Sequence, residues 1–493
     1  MLPSVINFDW RKVVEKLTRK YGLMTAICMV VGTVIGSGVF FKAQDVLKAT
    51  NGNMPLGIAA WAITGLIMII CSAQFAVMAT KYEKVSGVVD YAEATCGKGY
   101  GYYLAWFMVN IYYPAMTGVL AWVSARYFGV VAAGDDVNSP WNNAAGPEVM
   151  ALAGFLLVLS YAMNTLAPKI AGKFQVSTTV IKLIPISLMA IVGTIVGFAN
   201  GTLTENFNVA NAVAEAIPGE GGGLFAAVIA TVFAYEGWIV ATSINAELKN
   251  PKKNLPIALV VGAFIVVVTY ILYYIGVAGG ASSAEIIASG ATVAFKHIFG
   301  TVGGTILNIC VFISCLGTLN GLMMGASRGM YAIAERKVGP KPEMFSAVDK
   351  HTNMTNNSSV WGLVVCAAWL LYFYGANLTS GWFGLFNFDS SELPIVTIYA
   401  MYIPMFIAWM VKEKELGAFK RFVLPIMSII ACAFMVFAAV YAHGINKYVV
   451  AQENGLGFSF PVLFYLIIFA VIMLIGFFFS YAFKKNKAEE KAE

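Results

Sequence analysis

Runs of about twenty apolar residues, the length an α-helix needs to cross the hydrocarbon core of a bilayer, recur along this chain with short polar stretches between them. They fall near 22–41, 55–80, 100–129, 148–167, 174–199, 223–246, 255–280, 302–334, 357–376, 392–411, 418–443 and 458–483, numbered helices 1 to 12 below. The pattern predicts an all-α polytopic membrane protein with twelve transmembrane helices and no room for a soluble domain. Two of these helices are interrupted. Helix 1 carries Gly32, Gly36 and Gly38 around Ser37, and helix 6 carries Glu236-Gly237 within an apolar run. Helix 5 holds a third anomaly, Lys182, eight residues beyond Phe174 at the helix start. A charge near the bilayer centre costs at least ~2.5–3.5 kcal/mol on insertion scales, so it needs a partner or a task. A lysine reaching back to the membrane surface fits that depth poorly.

Composition agrees with the pattern: 59% of residues are hydrophobic and 12% charged, about half the charged share of a soluble domain. The 32 basic residues decide orientation, because positively charged loops stay cytoplasmic. With both termini inside, 26 of the 32 fall in cytoplasmic segments. The opposite loops at 131–147 and 200–222 have no Lys or Arg and carry Asp135, Asp136, Glu205, Glu215 and Glu220. The net charge of +6 is thus a topology signal and gives no reason to expect a nucleic-acid partner. Residues 1–21 are a cytoplasmic N-terminal segment, in which 6–20 reads as a basic amphipathic helix on the membrane surface, and 484–493 a cytoplasmic tail. About twenty mostly polar residues precede helix 1, which argues against a cleaved leader. Six of the seven cysteines lie in apolar runs and imply no disulfide framework. His297, His351 and His443 show no ligand spacing, so neither a metal nor a cofactor is expected. No cluster of catalytic residues marks the spans, which argues against an enzyme.

The two interruptions sit five helices apart. Broken helices at corresponding places in two halves point to a midplane substrate site in a transporter built from inverted repeats. This predicts repeats at 22–199 and 223–411, with helices 11 and 12 (418–483) appended. Unwinding frees amide donors on one half-helix and carbonyl acceptors on the other, and both need partners where there is no water. A zwitterion supplies both. Its carboxylate fits the amides around Gly36, Ser37 and Gly38, at the positive end of a half-helix, and its ammonium fits carbonyls such as those of Ile35, Phe233 and Tyr235. Ala234, Glu236 and Gly237 complete the expected substrate site. Gly32-xxx-Gly36 also fits a helix-packing face, Glu236 also fits an ion-pair residue beside a wet cavity, and Phe233, Tyr235 and Trp238 also fit ordinary aromatic packing.

The stretches VGTVIGSGVF (31–40), VIKLIPI (180–186), VFAYEGWIVA (232–241), AELKNPKKNLPIAL (246–259), CLGTLNG (315–321) and SRGMYAIAERK (327–337) resemble the L-type amino acid transporter branch of the amino acid–polyamine–organocation superfamily. One motif departs: the family's P-x-S/T-G-G-x-Y-x-Y after helix 2 stands here as Lys84-Val85-Ser86-Gly87-Val88-Val89-Asp90-Tyr91-Ala92. The resemblance implies a LeuT-like fold of two inverted five-helix repeats plus two helices, and sodium-independent exchange of neutral L-amino acids by alternating access. It also implies that Lys182 replaces a sodium ion, bonding carbonyls near Gly32 and Gly36 and reaching toward Ser314 or Thr318. Proton-coupled symport, and antiport of a cationic amino acid or amine recruited by Glu236, stay open beside exchange. Secondary candidates are Asn110 and Tyr113 on helix 3, Asn320 on helix 8 and Trp238 as an outer lid, with Glu247 anchoring an inner gate. The 131–147 loop lacks the cysteine by which such carriers bind a heavy subunit, so no disulfide-linked partner is expected. The expected partners are amino acid substrates and membrane lipids, and the expected location is a bacterial plasma membrane.

Overall fold

The computed structural model describes residues 22–489 apart from 83–86, 135, 209–221, 240–247, 350–353, 380 and 456. The amphipathic segment 6–20, Lys84 to Ser86 of the divergent motif, Asp135, Glu215, Glu220, the second half of helix 6, Glu247 and His351 lie outside the described residues. Among those described, ten helices are long and apolar enough to cross a membrane. They are helix 2 (Met54–Lys81), 3 (Lys98–Ala133), 4 (Pro147–Leu166), 5 (Pro168–Ala199), 7 (Pro251–Gly280), 8 (Ala291–Glu335), 9 (Asn356–Leu378), 10 (Leu393–Lys412), 11 (Phe419–Glu453) and 12 (Pro461–Tyr481). Helix 1 is a bent pair, Leu23–Val34 and Gly38–Ala49, turned by 50°. Helix 6 is described only as Gly223–Tyr235, its continuation falling on 240–247. The protein is an all-helical membrane protein.

Local chemistry explains several boundaries. Helices 4, 5, 7 and 12 begin at or beside proline, whose missing N–H costs nothing in the first turn. Asn53 caps helix 2 by accepting from the Leu56 amide at 3.0 Å. Helix 1 runs eight residues past its expected end at 41, to Ala49. Lys42, Gln44 and Asp45 interrupt the apolar run there, and it is the folded chain that gives them partners. Helix 8 begins earlier than expected, because a helical stretch from Ala291 joins it through Gly300 at φ 69°.

Large apolar side chains such as Phe155, Ile195, Phe264 and Phe478 face outward and are 60–70% exposed, as expected of a surface that meets lipid. Inside, Trp61, Tyr235 and Tyr270 join helices 2, 6 and 7 by edge-to-face or tilted contacts at 5.1–5.6 Å. Helices 5 and 7 touch through glycine, since a Cβ on Gly276 would lie 2.0 Å from the Met189 carbonyl oxygen. Close backbone approach of this kind is how membrane helices gain packing contacts where the lipid itself is apolar.

Ion pairs gather at the end of the bundle that carries the basic loops. Arg336 at the end of helix 8 holds Asp90 at 2.8 Å and Glu93 at 3.0 Å. Lys81 and Tyr82 both donate to Glu413, linking helices 2 and 10. Burial works against the Glu413 charge, but these two hydrogen bonds outweigh it and hold the carboxyl below its usual range.

Candidate functional site

Helix 1 breaks beside Gly36 and Gly38, and each half leaves polar backbone ends in the bundle interior. The carbonyls ending Leu23–Val34 take partners from two other helices. Lys182 Nζ donates to the Gly32 carbonyl at 2.5 Å, and the Tyr270 hydroxyl lies 3.0 Å from the Val34 carbonyl. The same hydroxyl is 2.9 Å from the Ala234 carbonyl on helix 6, so one phenol proton serves both broken helices. Helix 6 stops at Tyr235: Glu236 is extended and Gly237 takes φ +108°, a conformation L side chains rarely adopt. The two interruptions meet backbone to backbone. A Cβ on Gly38 would stand 2.6 Å from Ala234 Cα, and one on Gly237 2.7 Å from the Thr33 carbonyl oxygen. Tyr270→Phe is expected to lower the thermal unfolding midpoint of the purified protein, since buried carbonyls left without a donor cost about 1–3 kcal/mol.

Lys182 reaches Gly32 because helix 5 loosens beside it. Pro185 has no amide proton to give the Ile181 carbonyl, and the helix is divided there into Pro168–Ile181 and Leu183–Leu188. The side chain is 5% exposed. Among the described residues no carboxylate pairs with it. The expected contacts to Gly36, Ser314 and Thr318 do not form: Thr318 donates to the Ser314 carbonyl at 3.1 Å, and the buried Ser314 hydroxyl has no partner among the described residues.

A cavity of about 780 Å³ opens beside these breaks. Of the expected site residues, Gly36, Ser37, Gly38, Phe233, Ala234, Glu236, Gly237, Lys182 and Tyr113 line it. From there it runs to Gly87, Arg328 and Glu335 at the basic end of the bundle. Helix 3 widens into a π-turn over Met108–Tyr112, just before Pro114, as happens where a proline withholds an amide proton. Tyr112 on that turn donates to Glu236 Oε1, while Glu236 Oε2 is buried with no partner among the described residues. The Ser37 hydroxyl likewise has no oxygen or nitrogen partner and lies against the Cys315 thiol.

Five expected residues are not brought to the cavity wall. Ile35 is buried beside the break, and Tyr235 donates to the Trp61 carbonyl at 2.9 Å. Trp238, expected as a lid, packs between Phe75 at 5.5 Å and Tyr402 at 6.1 Å, because the turn at Gly237 aims it at helices 2 and 10. Asn110 donates to the Trp106 carbonyl and accepts from Trp361. Asn320 exchanges hydrogen bonds with Asn164 and Gln175. Asn110 thus joins its own helix to helix 9, and Asn320 joins helix 8 to helices 4 and 5. In the sequence Tyr112 is marked only as a phenol at depth, shared with many others, and Tyr270 fits packing as well as gating.

The arrangement sets amide donors at the start of Gly38–Ala49, carbonyl acceptors at the ends of Leu23–Val34 and Gly223–Tyr235, the Lys182 ammonium and the Glu236 carboxyl around a single space. Comparison with known proteins follows the same line. The amino acid permease family model matches residues 21–478. The serine/threonine exchanger SteT of Bacillus subtilis is 30% identical over 425 residues, 85% of this chain and 89% of that protein. The human large neutral amino acids transporter small subunit 2 is 28% identical over 321 residues, 64% of this chain and 58% of that protein. Among solved structures, MhsT in complex with L-phenylalanine superposes with a TM-score of 0.56 at 15% identity, covering 85% of this chain and 98% of that one.

Proposed function

Because the chain belongs to the amino acid permease family, we propose that it exchanges neutral L-amino acids across a membrane by alternating access, without sodium. The observation that carries this is one wall: the Gly36–Ser37–Gly38 break, the Ala234–Gly237 break and the Lys182 ammonium face the same cavity. A free amino acid presents opposite charges on adjacent atoms. Its carboxylate suits the amide end of Gly38–Ala49, where the half-helix dipole is positive, and its ammonium suits the carbonyl ends. Glycine lets the ligand approach the backbone itself. Lys182 already supplies a cation to the Gly32 carbonyl, which removes the need for a metal ion at that end. Similarity to a serine/threonine exchanger supports exchange, and similarity to a large neutral amino acids transporter subunit supports a neutral substrate.

The wider account has helices 1–5 and 6–10 rocking as inverted repeats about this site, with both termini cytoplasmic in a plasma membrane. The cavity then opens inward, and no heavy subunit is needed. The test is uptake of labelled neutral amino acids into liposomes free of sodium and of a pH gradient. Uptake confined to vesicles preloaded with unlabelled amino acid supports exchange. Uptake into empty vesicles that grows with an inward proton gradient overturns it in favour of proton-coupled symport.

Glu236, which lines the cavity and whose Oε2 has no partner among the described residues, favours a second reading, in which cationic amino acids share the site. Hydrogen bonds to charged groups contribute about 1.5–3 kcal/mol, roughly 10- to 100-fold in affinity. Glu236→Gln is therefore expected to weaken competition by arginine or lysine by about tenfold or more while neutral exchange persists. Equal competition in both proteins would remove Glu236 from substrate selection.

A further inference from the structure

Sulfur gathers where helices 2 and 11 pack together. Cys71 and Cys432 are both fully buried, and their Sγ atoms stand 3.7 Å apart. They are 361 positions apart in the sequence, so only the fold makes them a pair. Helix 2 ends at Lys81 against Glu413, just before helix 11 begins, so the two helices run antiparallel. Met68, one turn before Cys71, and Met435, one turn after Cys432, therefore share the faces of the two thiols at a common level, and both are buried. The nearby Ser428 hydroxyl is occupied by the Leu424 carbonyl at 2.9 Å. Among the described residues no third His, Cys, Asp or Glu joins the pair. Neither cysteine lines the cavity, but Tyr399 and Tyr402 of helix 10 stand within electrostatic reach of both thiols and of Glu236. The pair lies behind the cavity wall.

Thiolates and thioethers are soft ligands and select soft ions. Two thiols without a third strong donor suit an ion content with two bonds, and leave zinc, which takes four ligands, unserved. Charge decides among the soft ions, because a net charge is costly in an apolar interior. A monovalent ion between two thiolates leaves one negative charge, whereas a divalent ion leaves none. Bonds from d10 ions to thiolates are about 2.3 Å long, so two sulfurs on opposite sides of an ion stand about 4.6 Å apart, which this pair reaches by side-chain rotation of about 1 Å. We propose that Cys71 and Cys432 form a binding site for a soft divalent metal ion, with mercury(II) as its probe, and that the bound ion staples helix 2 to helix 11.

The step is a ligand exchange that transfers no electron. Mercuric chloride is neutral and enters through the lipid. Two Hg–S bonds form, two Hg–Cl bonds break, and two chlorides leave with the two thiol protons. The product is neutral and dry, as its surroundings require. Helix 2 belongs to the first repeat and helix 11 to neither, so a bridge between them opposes any movement of that repeat against the appended helices. That consequence for transport rests on the exchange reading.

The test uses the full chain in liposomes, reduced with a dithiol, freed of it, exposed to mercuric chloride and washed with about 1 mM glutathione. A lone thiolate gives its mercury up to that monothiol, whereas two thiols fixed side by side act at an effective concentration above it. The wash thus clears Cys28, Cys96, Cys310, Cys315 and Cys366, none of which has a second sulfur in contact among the described residues. Cys315 matters most, because it lies against Ser37. Wild type is expected to retain one mercury per chain by elemental mass spectrometry and to lose its counterflow, both reversed by a dithiol. Cys71→Ala and Cys432→Ala are expected to retain none and to keep their counterflow, with Cys71→Ser and Cys432→Ser read instead where an alanine variant fails to fold. No mercury retained in wild type, or as much retained in the single variants, would overturn the site. Full counterflow with the mercury in place would overturn the staple. A chain that retains one mercury but exchanges no amino acid before treatment would strike the exchange reading and leave the site standing.

Discussion

Replacing Lys182 by methionine is expected to cut sodium-free exchange about a hundredfold while the protein stays folded. Methionine keeps the volume and the apolar stem, and what disappears is one ammonium. In the folded chain that ammonium has the Gly32 carbonyl as its partner and no carboxylate among the described residues. Its removal relieves a buried charge of its desolvation and leaves one carbonyl without a donor, two effects of opposite sign. The thermal unfolding midpoint should therefore move little. Transport should not be spared, because Lys182 ties helix 5 to the broken end of helix 1, the segment whose carbonyl and amide ends the substrate needs. A charge-assisted hydrogen bond lost at each turnover corresponds to roughly 10- to 100-fold in rate. Counterflow into preloaded liposomes, with a melting curve of the same preparation, checks both halves. Undiminished counterflow would leave Lys182 a structural residue at most.

Gly237→Ala is expected to have the next largest effect, and on different grounds. Its φ of +108° belongs to a region that glycine occupies at no cost. Holding another residue in such a region costs about 1–3 kcal/mol. Space is lacking as well, since the new methyl would stand 2.7 Å from the Thr33 carbonyl oxygen, which is backbone and cannot swing aside. The two broken helices would be forced apart at their crossing, so exchange should fall by roughly 10- to 100-fold with a lowered unfolding midpoint. Gly321→Ala is the control: it lines the same cavity, its nearest neighbours are the flexible tip of Gln175 at 3.5 Å, and its backbone is helical. Equal activity in both variants would mean that the crossing of the breaks is not needed for transport.

What the sequence made legible was each feature that contradicts its own surroundings. Glycines around a serine in an apolar helix, a lysine at depth and a Glu-Gly pair in an otherwise apolar run can all be seen without knowing the neighbours. The structure brings those three segments to one cavity. What escaped depends on partners far along the chain. Lys42 ended the expected helix 1 because its partner Glu392 lies 350 positions away. Tyr270 fastens both breaks, yet a phenol in an aromatic-rich helix looks the same whether it packs or bonds. Asn320, a polar group at depth, has partners on helices 4 and 5, while Asn110, expected to face the site, bonds the Trp106 carbonyl of its own helix and Trp361 of helix 9. For Trp238 the sequence leaves lid and aromatic packing both open, and the backbone turn at Gly237 decides for packing.

The central claim is that the cavity between the two breaks takes a free amino acid by both of its charged groups. The most direct measurement is competition, in the sodium-free counterflow assay, by a transported amino acid, by the amine that lacks its carboxylate and by the acid that lacks its ammonium. Each missing charge should weaken competition by roughly 10- to 100-fold, whatever the side chain. An amine or an acid that competes as well as the parent amino acid would contradict the account, because one end of the site would then have no task.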